Sequence, residues 1–154
     1  MMTKILMVCL GNICRSPLAE GILKSKVNPS EVHVDSAGTA GYHVGSPPDP
    51  RSMDVARKHG IDIGNQRCRK FTSLDFKEFD RIYVMDKSNY ANVTALSKTK
   101  EEEEKVKLLL EVAELGVEEV PDPYYGGRDG FEYVYQLIDR ACDQIVKDLG
   151  NGGK

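Results

Sequence analysis

A short apolar run, followed at once by a glycine-containing loop and a helix, constrains the fold of this chain most. Lys4 to Cys9 has the continuous apolar pattern of a buried β-strand. Ser16 to Lys26 has apolar residues along one helical face, and Pro17 stands in its first turn, where proline is favoured. A strand joined this tightly to a helix is typical of a parallel sheet with helical connections. We therefore predict an α/β fold.

The rest of the chain continues the alternation of short apolar runs with longer amphipathic segments, and no repeat interrupts it. Further strands are predicted at Val32 to Asp35, Arg81 to Met85 and Val106 to Leu110. Further helices are predicted at Arg51 to His59, Ser88 to Leu96 and Asp129 to Leu149. The Gly- and Pro-rich stretch Gly38 to Pro50 is expected to be a loop that covers a site.

The length and charge of the chain limit both its domain organisation and its partners. A chain of 154 residues fits one domain, here taken as residues 1–154 with a frayed tail at 150–154. A net charge of −3 argues against a general nucleic-acid binder, although it allows a local cationic pocket. The run Glu101 to Glu104 is interpreted as a solvated charged surface.

The first twenty residues and the cysteines indicate the compartment. The apolar run Ile5 to Leu10 is too short for a membrane span and has no cleavage site after it, so neither a signal peptide nor a membrane partner is expected. Reduced thiols are favoured for the four cysteines, and we expect a cytoplasmic protein. The three histidines are scattered and no C-x-x-C pattern is present, so no metal is expected.

The residues that carry chemistry lie in the first strand-to-helix loop, Cys9-Leu10-Gly11-Asn12-Ile13-Cys14-Arg15-Ser16. A loop this short before a helix N-terminus can point successive backbone N–H groups at one tetrahedral anion. Cys9, under those amides and the positive end of the helix dipole, is favoured as the thiolate and becomes a nucleophile at neutral pH. Arg15 can donate two hydrogen bonds to the oxygens of a phosphoryl group.

Other interpretations of this loop remain open from the residues alone. Cys9 can equally end a core strand as a small apolar residue, because buried cysteine is often inert. Two neighbours favour the anion site: Asn12 suits a left-handed position in a tight loop, and the Ser16 hydroxyl can donate to a Cys9 thiolate. Cys14 is either a buried small residue or a redox partner, whose thiol would form a disulfide with an oxidised Cys9.

An acid that protonates the leaving oxygen is expected from another loop at the same sheet edge. Asp122, between Pro121 and Pro123, can be held rigidly over the anion site as a general acid. The alternative is an ordinary turn residue, since Asp and Pro are both common in turns.

With these motifs the chain, from Ile5 to about Leu149, resembles the low-molecular-weight protein tyrosine phosphatases. Five segments carry the resemblance, in this order: Val8 to Pro17, Asp35 to Thr39, Pro48 to Arg51, Met85 to Asn89, and Asp122 to Tyr125. The resemblance implies a single-domain, three-layer fold with a four-stranded parallel sheet flanked by helices. It also implies a phosphocysteine intermediate, with neither metal nor cofactor.

The resemblance assigns roles residue by residue. Cys9 is the nucleophile, Arg15 the phosphate clamp and Asp122 the general acid. The phosphate-binding loop comprises Leu10, Gly11, Asn12, Ile13, Cys14 and Ser16. Asn12, Ser16 and Ser36 form a supporting hydrogen-bond network, and the walls of the substrate slot are Leu10, Ile13, Tyr42 and Tyr124. A deep slot of this kind selects phosphotyrosine over the shorter phosphoserine. The expected product is inorganic phosphate, and the protein is expected to act as a monomer.

One position departs from the family pattern. Many members carry His-Arg-Ala-Arg-Gln where this chain has Gln66-Arg67-Cys68-Arg69-Lys70. The resemblance assigns the histidine to the network that supports the loop. A glutamine there can donate a hydrogen bond but adds no charge.

Three rival functions share this anion loop. A thiol-dependent arsenate reductase needs further cysteines close together, but Cys68 and Cys142 are each alone in the sequence. Phosphoarginine phosphatases of this fold tend to carry Thr where this chain has Ile13. The isoleucine favours phosphotyrosine as the substrate. A non-catalytic phosphate-binding module is expected to lack the nucleophile or the acid, and this chain has both.

Overall fold

A four-stranded parallel sheet organises the protein, in a computed structural model that describes residues 2–123 and 127–150. The strand order is β2-β1-β3-β4, with the bounds β1 Thr3–Cys9, β2 Val32–Gly38, β3 Arg81–Val84 and β4 Val106–Leu108. The helices are α1 Arg15–Lys24, α2 Pro50–Lys58, α3 Asp75–Glu78, α4 Lys87–Thr94, α5 Lys100–Glu104, α6 Leu109–Ala113 and α7 Gly127–Gly150.

Helices cover both faces of the sheet, which creates one apolar core on each face. The buried side chains of β1 point alternately into these two cores. Ile5 and Met7 belong to a cluster with the apolar residues of α1, α2 and α7. Leu6 and Val8 belong to a second cluster with Phe76 of α3 and with a residue of α4. The predicted three-layer α/β architecture is confirmed.

Each strand prediction differs from the structure at one end: β1 begins one residue earlier than predicted, β3 ends one residue earlier, and the other two strands differ by more. β2 continues beyond Asp35 to Gly38, because it pairs in register with the full length of β1, from Thr3 with Val32 to Cys9 with Gly38. β4 ends at Leu108, and Leu109 and Leu110, predicted as strand, begin α6. Both leucines are fully buried, and a short buried apolar run does not distinguish strand from helix.

The remaining differences concern short helices and helix ends. The sequence did not predict α3, and the run Glu101 to Glu104 forms most of α5, none of whose residues is buried. Thr99 caps α5 by accepting a hydrogen bond from the Glu102 N–H at 3.1 Å. Gly150, assigned to the tail, is the last residue of α7, while residues 151–154 lie outside the described part of the chain.

The strand order gathers the candidate residues at one sheet edge. β1 lies between β2 and β3, so the chain segments that follow these three parallel strands meet at their carboxyl ends. Gly38 lets the end of β2 lie against the loop that follows β1, because a Cβ atom there would lie 2.8 Å from the Leu10 carbonyl oxygen and 3.0 Å from the Asn12 nitrogen. None of the helices in residues 2–123 and 127–150 is both long and apolar enough to span a membrane.

Candidate active site

The loop between β1 and α1 curls tightly around one point. Cys9 is the last residue of β1, and Arg15 is the first residue of α1. Between them Asn12 has a φ of 57°, in the left-handed region predicted for it. That conformation lets five residues reverse the chain direction between strand and helix.

Two loop carbonyls, those of Leu10 and Ile13, point outward and are held there by surrounding backbone. The Leu10 carbonyl accepts a hydrogen bond from the Ala40 N–H at 2.9 Å, and the Ile13 carbonyl accepts one from the Asp49 N–H at 2.8 Å. Because a trans peptide is planar, the N–H that follows each outward carbonyl points to the opposite side, into the loop. The loop thus presents inward N–H donors suited to a phosphoryl group.

The Cys9 sulfur lies at the base of this loop, buried, with two polar neighbours. The Asn12 N–H donates to it at 3.2 Å, and the Ser16 hydroxyl oxygen lies 3.0 Å from it. Both groups can donate a hydrogen bond to the sulfur, as a nucleophilic thiolate at this position requires.

The direction of the Ser16 hydrogen bond follows from the bonds around Asn12. The Arg69 N–H donates to the Asn12 side-chain oxygen at 3.0 Å, which fixes the orientation of the amide. The amide nitrogen therefore donates, to Ser16 Oγ at 2.8 Å and to Ser36 Oγ at 3.0 Å. Ser16, already an acceptor, has one hydrogen to donate, and the Cys9 sulfur at 3.0 Å is nearer to it than the Ala37 carbonyl at 3.4 Å, which favours donation to the sulfur. The structure thus brings together the three residues that the resemblance placed in a supporting network.

Glu20 extends this network and was missed by the sequence analysis. Its carboxylate is buried and accepts a hydrogen bond from the Ser36 hydroxyl at 2.7 Å. Lys24, one helical turn later, pairs with it at 2.6 Å. Gln66 lies outside the chain of bonds that reaches Cys9, and its side-chain nitrogen donates to the Pro17 carbonyl at 3.0 Å. The position of Glu20 on the buried side of a predicted helix could have indicated a buried polar contact.

Arg15 is held by groups that the sequence analysis did not connect with it. Its side chain is buried, and one terminal nitrogen donates to Asp86 at 2.7 Å and to the Val120 carbonyl at 3.0 Å. Burial alone would lower the pKa of Arg15, but the charges of the Cys9 thiolate and of two carboxylates, Asp86 and Asp122, raise it. The guanidinium is therefore a permanent, oriented cation beside the loop.

Asp122 lies near Arg15 and lines the same cavity as Cys9. Its carboxylate is 4.0 Å from the other terminal nitrogen of Arg15, and 41% of its side chain is exposed. A partly exposed carboxyl group in the wall of this cavity can reach the leaving oxygen of a phosphate ester bound in the loop.

A cavity of about 210 Å³ opens over the loop. It is lined by Cys9, Leu10, Gly11, Ile13, Cys14, Arg15, Tyr42, His43 and Asp122. Tyr42, with 76% of its surface exposed, stands at the rim of the cavity. His43 is a second residue that the sequence analysis missed, although it belongs to the stretch expected to cover a site. Tyr124, assigned to the slot wall, lies outside the described residues.

All four cysteines are buried and free. Burial, with smaller contributions from the charges of Asp49 and Cys9, raises the pKa of the Cys14 thiol to about 12. Cys14 is thus held as a neutral thiol at physiological pH, and its redox role stays a prediction.

The comparisons with known proteins agree on one family. The family model described as low molecular weight phosphotyrosine protein phosphatase matches residues 4–154. The low molecular weight phosphotyrosine protein phosphatase of Schizosaccharomyces pombe is 45% identical over 143 residues, covering 88% of this chain and 90% of that protein. The human protein of the same name is 40% identical, with 93% of each chain covered.

A comparison with solved structures supports the same family. The crystal structure of a protein tyrosine phosphatase from Entamoeba histolytica, with Hepes in its active site, superposes with a TM-score of 0.93. The two proteins are 36% identical, and the match covers 99% of each chain. The architecture, the loop geometry and these similarities establish that the chain belongs to the low molecular weight phosphotyrosine protein phosphatase family.

Proposed function

We propose that this protein hydrolyses phosphotyrosine in proteins and peptides, and small aryl phosphates, through a phosphocysteine intermediate. The observation that carries the proposal is the position of the Cys9 sulfur, at the base of a loop of inward N–H groups and beside the Arg15 guanidinium. This arrangement is suited to an attacking thiolate and to the charge that develops on phosphoryl oxygens.

In the first step the Cys9 thiolate attacks phosphorus opposite the phenolic oxygen. An S–P bond forms and the P–O bond to the phenol breaks, while Asp122 gives its proton to the departing oxygen. The loop N–H groups and Arg15 donate to the equatorial oxygens, where negative charge increases in the transition state. The phenol leaves neutral, and Asp122 remains as a carboxylate.

In the second step water attacks the phosphocysteine. Asp122, now ionised, accepts a proton from that water, the S–P bond breaks, and inorganic phosphate and the Cys9 thiolate are released. Ser16 donates a hydrogen bond to the returning thiolate, which makes the sulfur a better leaving group. The cycle needs no metal and no cofactor.

The substrate class follows from the chemistry of the cavity mouth. Tyr42 and Leu10 supply exposed apolar surface above the loop, and Ile13 adds to the wall. A phenyl ring can lie against these groups while its phosphate reaches the loop, whereas the shorter phosphoserine side chain would bring peptide backbone against the rim. This supports phosphotyrosine over phosphoarginine and phosphoserine. The arsenate reductase alternative has little support, because Cys142 is fully buried in the core with α7.

The proposal extends to the compartment, the domain organisation and the partners of the enzyme. The nucleophile must stay a free thiol, so a reducing cytoplasm suits the chemistry. We further propose a single phosphatase domain over residues 1–154 that acts as a monomer, with phosphotyrosine proteins rather than nucleic acid or membrane as partners.

The substrate class is tested by comparing kcat/KM on matched phosphotyrosine and phosphoserine peptides. We expect the phosphotyrosine peptide to be the better substrate by roughly 2- to 10-fold, since ring contacts contribute about 0.5–1.5 kcal/mol beyond the area they bury. Tyr133, exposed on α7, supplies the control, because Tyr133→Ala should not change the preference, whereas Tyr42→Ala should reduce it. Equal kcat/KM on both peptides would refute the proposed substrate class.

Replacing Asp122 with alanine tests the general acid. Protonation matters most when the leaving oxygen is basic, so Asp122→Ala should slow phosphotyrosine hydrolysis by about 10²-fold or more. An ester of an acidic phenol, such as p-nitrophenyl phosphate, should lose much less, because its phenolate leaves without help. Single-turnover rates on both esters measure the difference. Equal losses would make Asp122 a structural turn residue.

A further inference from the structure

Cys68 lies directly beneath the phosphate loop, and the proposed mechanism does not use it. Its sulfur is 2.8 Å from the Asn12 carbonyl oxygen, and only 4% of the residue is exposed. The Pro47 carbonyl oxygen lies farther from the sulfur, at 3.9 Å. The thiol is therefore directed at the loop.

The Asn12 carbonyl differs from its neighbours in the kind of group that holds it. The Leu10 and Ile13 carbonyls are held by backbone N–H donors, whereas the bond to the Asn12 carbonyl comes from a side chain. Asn12 is also the non-glycine residue of the loop with a positive φ, a conformation that L-residues adopt at a cost and that persists where the surrounding structure holds it. The orientation of the peptide between Asn12 and Ile13 therefore depends on its anchors.

We propose that Cys68 is a positioning residue of the phosphate loop, whose S–H donates to the Asn12 carbonyl and so keeps the Ile13 N–H pointing at the phosphoryl oxygens. The proposal follows from the planarity of the peptide, because the carbonyl of Asn12 and the N–H of Ile13 point in opposite directions. It rests on the proposed function in one respect, that the ligand of the loop is a phosphoryl group.

The segment that carries Cys68 is rigid enough to serve as this anchor. The Cys68 N–H donates to the Ser46 carbonyl at 2.8 Å, and its carbonyl accepts from the Gly45 N–H at 2.8 Å. The next residue, Arg69, donates its own N–H to the Asn12 side-chain oxygen at 3.0 Å. Two consecutive residues therefore hold Asn12 at its carbonyl and at its amide.

The thiol is in the protonated form that donation requires. Burial raises the pKa of Cys68, and the charge of Cys9 raises it further. Cys68 therefore remains an S–H donor at neutral pH.

Four substitutions separate donation from packing. Cys68→Ala and Cys68→Val remove the donor, the first leaving space and the second filling it. Cys68→Ser keeps a donor, and its shorter C–O bond leaves a hydroxyl still within reach of a carbonyl that is now 2.8 Å from the sulfur. Cys142→Ala is the matched control, because Cys142 is equally buried but lies in α7 within the core cluster.

The primary measurement is the dissociation constant of inorganic phosphate, by calorimetry or ³¹P NMR, which needs no turnover. We expect Cys68→Ala and Cys68→Val to weaken phosphate binding by roughly 3- to 10-fold, the range of one net hydrogen bond. KM for p-nitrophenyl phosphate should rise in parallel, with a smaller change in kcat. Cys68→Ser and Cys142→Ala should stay within about twofold of the parent.

Each pattern of results decides the proposal. Donor-free variants that bind phosphate like the parent would overturn it, and so would a serine variant as weak as the alanine variant, since packing would then be the cause. Should one donor-free variant unfold in a thermal scan, the other gives the comparison. A parent that binds phosphate but does not hydrolyse aryl phosphates would refute the proposed function, while phosphate binding by the variants would still decide the role of Cys68.

Discussion

Cys9→Ser is expected to abolish hydrolysis of aryl phosphates, with kcat reduced by about 10⁴-fold or more, the scale on which removal of a covalent nucleophile acts. A serine hydroxyl is not ionised at neutral pH, and no neighbouring base in the described loop would remove its proton. The measurement is steady-state turnover of p-nitrophenyl phosphate with the variant at high concentration.

The loop itself should survive this substitution. A hydroxyl at position 9 still accepts hydrogen bonds from the Asn12 N–H and the Ser16 hydroxyl, which lie 3.2 Å and 3.0 Å from the sulfur. Inorganic phosphate should therefore still bind and still raise the melting temperature. Cys142→Ala is the control for the loss of a buried thiol. Residual turnover above a trace in Cys9→Ser would rule out a phosphocysteine intermediate.

Arg15→Lys is expected to have the next largest effect, a loss of roughly 10²- to 10³-fold in kcat/KM, comparable with the loss of an oxyanion-hole donor. The guanidinium binds Asp86 and the Val120 carbonyl through one nitrogen, while its other terminal nitrogen is 4.0 Å from Asp122, beyond hydrogen-bond distance, and can turn to the phosphoryl oxygens. A lysine keeps the positive charge, but its single ammonium cannot hold Asp86 and donate two parallel hydrogen bonds to phosphate.

Arg57→Lys is the matched control for this substitution. Arg57 is an exposed residue of α2 whose charge pairs with Asp54 at 2.9 Å, so kcat/KM should be unchanged. The comparison is made on p-nitrophenyl phosphate, with thermal unfolding measured for both variants. If Arg15→Lys kept kcat/KM within threefold of the parent, the forked contact would not contribute to the transition state.

Local patterns in the sequence were sufficient for the architecture. The apolar run Lys4 to Cys9, the loop after it and the helix that begins near Pro17 are set by short-range preferences, and the structure contains all three. The C-x5-R spacing placed a cysteine and an arginine on one anion loop. The alternation of strands and helices implied that the strands are parallel, because parallel strands require crossover connections. Motif spacing also indicated the family.

The partners of the loop were decided only by tertiary structure. Asp86 and Glu20 reach the site because β3 lies beside β1 and because one side of α1 packs onto the sheet, and neither relation is encoded in neighbouring residues. The anchoring of Asn12 by Cys68, 56 residues along the chain, is of the same kind. The sequence by itself determined which residues could perform the chemistry. Only the packed fold decided which donors and charges orient them, because hydrogen-bond direction and burial depend on contacts between distant segments.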